Sequence, residues 1–179
     1  MNTSNDNLIV ALMNEADRLA QQGQSVSAAV RWHKVLELEA DFPPALNSLA
    51  VQAMQRGDVA AARDLLQRAV AAAPEYAMAH ANLSRVHAAL GDSDAALASI
   101  DGAIKADPAA WGPRMEKARM LEAKGREREA AASYGSAMAY MPEAVQQSPE
   151  MQPLVEHARR MIAENRAQLR EFLLARIGG

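Results

Sequence analysis

The sequence predicts an all-α fold, a stack of helix pairs closed by one long C-terminal helix. Three observations carry that expectation. Gly23, Gly57, Gly91 and Gly125 recur every 34 residues; Pro74, Pro108 and Pro142 repeat the same step, with Ala40 where an earlier rung would fall. A fixed period of this length marks a stacked repeat array. Half of the chain is apolar yet only 4% is aromatic, and alanine, the best helix former, dominates. Aligned on the period, three columns are almost entirely small: Ala16, Ala50, Ser84 and Ala118; Ala28, Ala62, Ala96 and Ala130; Val35, Ala69, Ala103 and Ala137. A large column, Trp32, Leu66, Ile100 and Tyr134, lies between the last two. Small residues let helix backbones approach, and the large ones fill the space between repeats.

Each element can be justified in turn. Residues 1–6 are expected to be a disordered N-terminus, with Asn5 and Asp6 as N-cap types for the first helix. Leu8, Leu12, Ala16 and Leu19 follow at helical spacing, up to a closing Gly23. Ser25 or Ser27 can cap the next helix, which stops before Pro43 because the residue preceding proline avoids the helical region. The same pair recurs as 44–56 with 59–72, 78–90 with 93–106, and 112–124 with 127–141. Asp58 and Asp92 follow their glycines and suit the N-cap of the second helix. The repeats are expected at about 7–42, 43–76, 77–110 and 111–142, followed by a linker at 143–152 and a helix at 153–177. Helices of this length are marginal alone, so stability must come from packing between neighbours.

The pattern resembles the tetratricopeptide repeat. Pro43 to Tyr76 carries it most fully, through Leu46, Leu49, Ala50, Gly57, Ala62, Leu66, Ala69 and Pro74. His80, His87, Arg114 and Lys117 depart from it. The resemblance covers about residues 7–142 and implies a right-handed α-α solenoid of four helix pairs. A narrower likeness rests on Met138 to Gly179, where repeats give way to a Pro-punctuated link and a long helix ending in Gly-Gly. It resembles the N-terminal region of bacterial aspartyl/asparaginyl β-hydroxylase-like proteins. That would make the chain the non-catalytic part of an Fe(II)- and 2-oxoglutarate-dependent enzyme, with any catalytic domain beyond residue 179.

Composition and motifs exclude much chemistry. The net charge is −3 and cysteine is absent, so no basic footprint for nucleic acid exists, nor any disulfide or thiolate ligand. The apolar run Leu8 to Met13 is too short for a signal or a membrane span; a cytoplasmic location without a membrane partner is expected. No phosphate loop, G-x-S-x-G or H-E-x-x-H occurs. His80 and His87 are seven residues apart on one helix, about 10.5 Å along its axis, too far to share a metal. Neither a catalytic residue nor a cofactor or metal is expected.

The family resemblance implies that the first helix of each pair lines a concave groove. The groove candidates are Met13 and Asp17, then Asn47, Val51 and Met54, then Met78 and Arg85, and finally Met115, Arg119 and Glu122. Methionine adapts to varied partners, and the arginines can fork onto carboxylates. Some family members grip a C-terminal carboxylate at positions that here read Met13, Asp17, Ser48, Ala81 and Arg85. Only Arg85 matches, so no such clamp is expected. The C-terminal helix outruns its neighbour by roughly ten residues, and Leu169, Phe172, Leu173 and Ile177 form an apolar stripe on that stretch. The expected function is therefore protein–protein interaction with a peptide or helix in the groove; the alternatives are a hydroxylase-associated region and a homodimer formed through the C-terminal helix.

Overall fold

In the computed structural model, residues 3–177 are described, with side chains from 5 to 176. Every regular element among them is a helix. The chain divides between Ala106 and Asp107 into two compact units. Unit 1 contains α1 (Thr3–Gln21), α2 (Ser25–Leu38), α3 (Pro43–Gln55), α4 (Val59–Ala72), α5 (Ala77–Ala89) and α6 (Ser93–Ala106). Unit 2 contains α7 (Trp111–Ala123), α8 (Glu127–Tyr140), the single turn α9 (Glu143–Gln146) and α10 (Gln152–Ile177). Helix α1 reaches back to Thr3, which puts the expected cap residues Asn5 and Asp6 inside it. Asp6 then lies in the first turn, where its charge complements the helix dipole. Residues 1–2 lie outside the described part.

The glycine ladder ends the first helix of each pair. All four glycines are left-handed, with φ between 69° and 79°. At the second, Gly57 N–H donates to Met54 O at 3.0 Å and Asp58 N–H to Ala53 O at 2.9 Å. That double bond pattern satisfies the last free carbonyls of α3. A Cβ at any of these glycines would meet nothing within 4 Å. Backbone conformation, not space, therefore demands glycine here. Asp58 and Asp92 each accept from the backbone N–H three residues on, Ala61 and Ala95. At the matching place before α2 the cap is Gln24, not a serine, and its side chain makes no capping bond.

All three small columns and the large column are buried. The one polar member of the small columns, Ser84, is satisfied by donating to Ala96 O at 2.8 Å, which ties α5 to α6. In unit 2 α10 packs on α8, and Val155 and Ala158 in its first half are fully buried.

The departures His80 and Arg114 have a shared physical reason. In three successive turns a carbonyl accepts from a side chain: Ala40 O from Arg68 Nη2 at 2.6 Å, Pro74 O from His80 Nε2 at 2.9 Å, and Pro108 O from Arg114 Nη2 at 2.6 Å. Arg114 also donates to Ala110 O and Ser136 Oγ and stacks on Tyr140 at 4.4 Å. A buried guanidinium is tolerated when its donors are met in this way.

Candidate interaction surfaces

In unit 1 the candidates on α1, α3 and α5 differ in how they are held. Asp17, Val51, Met78 and Arg85 are exposed, and Met13 and Met54 are half-buried. Asn47 is only 5% exposed, and it anchors a polar ladder. Asn82 Nδ2 donates to Asn47 Oδ1 at 2.8 Å, and Arg85 Nη1 donates to Asn82 Oδ1 at 3.0 Å. Asn47 Nδ2 in turn meets Met78 Sδ at 3.6 Å, as does Tyr76 Oη at 3.7 Å. Burial, with the Asp17 charge second, raises the Tyr76 hydroxyl pKa, which keeps it a donor. The rest of the Arg85 guanidinium has no partner among the described residues.

Asn82 is central to this ladder, yet the sequence reading passed over it. Its only signal there is its position one turn before Arg85. Two clefts flank α3. One, of about 200 Å³, is lined by residues of α1, α2 and α3, Trp32 and Ser48 among them. The other, of about 180 Å³, lies between α3 and α5 and is walled by Met54, Leu66, Asn82 and Arg85. Val51 and Gln55 line both.

Unit 2 places its candidates differently. Met115 is 3% exposed and packs in the core. Arg119 is exposed and pairs with Glu116 at 3.5 Å. Glu122 is half-buried and already engaged: Tyr134 Oη donates to its Oε2 at 2.8 Å, and His157 Nε2 lies 2.9 Å from the same oxygen. Arg160 Nη2 reaches His157 Nδ1 at 3.2 Å. Because arginine only donates, Nδ1 accepts, and Nε2 is left as the donor to Glu122. These bonds, that from His157 foremost, lower the Glu122 pKa, while burial and the Glu122 contact raise that of Tyr134.

Along α10, Leu169, Phe172 and Leu173 are 49%, 47% and 49% exposed. Leu174, which the stripe did not include, is exposed as well. Ile177 falls outside the described side chains. Among the described residues no three metal-ligating side chains converge, and no helix is long and apolar enough to cross a membrane.

The tetratricopeptide repeat profile matches residues 13–77, 47–110 and 81–149. No curated protein matches the sequence significantly. Solved structures share the fold at low identity. The MamA protein superposes with a TM-score of 0.67 at 17% identity, over 89% of this chain and 91% of its own. The Yersinia enterocolitica type III secretion chaperone SycD, in complex with a peptide of the translocator YopD, gives 0.58 at 21% identity, over 69% of this chain and 91% of its own. The first TPR of Spaghetti (RPAP3), bound to the HSP90 peptide SRMEEVD, gives 0.61 at 17%, over 66% of this chain and 94% of its own. The narrower likeness to β-hydroxylase-like proteins finds no support in these matches.

Proposed function

The chain belongs to the tetratricopeptide repeat family, and from that premise we propose that unit 1 is a protein-interaction module holding an extended segment of a partner across α1, α3 and α5. The Asn47–Asn82–Arg85 ladder, running between two clefts that share Val51, carries this reading. An extended peptide exposes backbone N–H and C=O groups along its length, and asparagine amides can bond to both. The clefts on either side of α3 can receive side chains that leave the peptide on one edge. Two structures of the same fold hold peptides, which supports a binding role rather than catalysis.

The test is selection of peptides from a display library against the whole chain, followed by affinity measurements. Val51→Glu sets a charge in both clefts and is expected to weaken selected peptides by roughly tenfold or more. Asn82→Ala is expected to weaken them less. Selected peptides that bind both variants as tightly as the parent chain would sink the reading.

A second reading follows from α10. Its exposed leucines and Phe172 favour a homodimer, because an apolar stripe of this kind seeks a partner.

A further inference from the structure

The wall of the cleft between α1, α2 and α3 includes a residue with a polar group that the fold leaves unsatisfied. Trp32 lines it and is 6% exposed. Its Nε1–H is the one buried side-chain nitrogen or oxygen without a hydrogen-bond partner among the described residues. Such orphans are rare in folded proteins and need an account.

The other polar groups of this wall are either spent or free. Gln52 donates to Ser25 O and accepts from Arg56. Asn47 is held by Asn82 and Met78. The Ser48 hydroxyl and the Gln55 amide have no partner among the described residues. No charged side chain lines the cleft. An ionised carboxylate or ammonium would lose hydration there without a counter-charge, and a hydrocarbon side chain would leave the indole unpaired. A primary amide carries the matching groups: an oxygen that can accept from an indole N–H, and two N–H groups that can donate to a hydroxyl such as Ser48 Oγ and an amide oxygen such as Gln55 Oε1.

We propose that this cleft is a specificity subsite that takes the side-chain amide of a glutamine or asparagine in the bound segment. The inference rests on the peptide reading above and adds the residue class that is recognised. Nε1 is itself covered, so the wall must give slightly to admit the amide.

The test uses the full chain and two small probes, N-acetyl-glutamine methylamide and its leucine analogue. With two tryptophans, the indole 15N–1H spectrum has two signals, which Trp111→Phe assigns. The glutamine probe is expected to move the Trp32 signal downfield and saturably, while the leucine probe does not. Its affinity should exceed that of the leucine probe by roughly threefold or more, and Trp32→Phe should abolish the difference. Should Trp32→Phe fail to fold, Ser48→Phe fills the cleft from a half-buried position and should abolish the response as well. An equal response to both probes, or none, overturns the proposal. Selected peptides that need Val51 and Asn82 but bind equally without any glutamine or asparagine would sink this inference alone. Peptides indifferent to Val51 and Asn82 would sink the groove reading, and the probe titration would still decide this one.

Discussion

The imidazole of His80 lies against Gly102. Its Nε2 donates to Pro74 O at 2.9 Å, and a Cβ built on Gly102 would come within 2.8 Å of its Cε1. A histidine on α5 thus closes the preceding turn and occupies the space that a missing side chain on α6 leaves open. His80 departs from the repeat pattern where Gly102 leaves room for its ring.

Gly102→Ala therefore separates two effects. In an ordinary helix interior the change would stabilise by about 0.5–1 kcal/mol. Here the methyl meets a ring that its own hydrogen bond holds in place, and a net loss of roughly 1–3 kcal/mol is expected. Chemical denaturation measures it. The double variant with His80→Ala should recover part of the loss; a more stable Gly102→Ala would show that the ring moves aside freely.

Gly57 makes the opposite case. Its Cβ position is empty, so substitution costs only backbone strain. Gly57→Ala should lower stability by about 1–2 kcal/mol. Gly57→Asn should cost less, since asparagine visits the left-handed region more readily. Equal urea midpoints for all three chains would contradict the conformational argument.

Acid should loosen unit 2 partly through Glu122. Its bonds to His157 and Tyr134 hold its folded pKa below the ordinary 4.5. The stability it contributes is present above that ordinary value and is lost as pH falls through the lower folded value. Wild type should therefore lose Tm between about pH 5 and pH 3, and Glu122→Gln should lose less over that range. The difference is modest because the side chain is a third exposed, and the pairs Glu15–Arg31 and Glu129–Arg126 shift the same way. Parallel Tm curves for the two chains would remove Glu122 from the account.

The homodimer reading turns on Leu173. Light scattering over a range of concentrations should show a mass rising from 19.3 kDa toward twice that value, and Leu173→Glu should return it to the monomer. A constant monomer mass would leave α10 with a capping role only.

The sequence by itself determined the all-α repeat architecture. Its signals are local or strictly periodic. A left-handed glycine bonds within six residues of itself, and each small column meets its neighbour by the same step every time. The tertiary structure decided which polar groups find partners. Asn82 meets Asn47 across 35 residues, as His157 meets Glu122, one residue more than the period, so each bond joins two different columns and the like-with-like alignment of the repeats does not show it. Burial likewise sorted residues that share one column: Met115 went to the core, whereas Met13 remained half-buried. Trp32 reads in the sequence as a packing residue, and it is one; that its N–H is left unpaired beside a cleft depends on three helices meeting around it. Helix formation obeys rules written within one turn, but satisfaction of a hydrogen bond depends on everything that surrounds the atom.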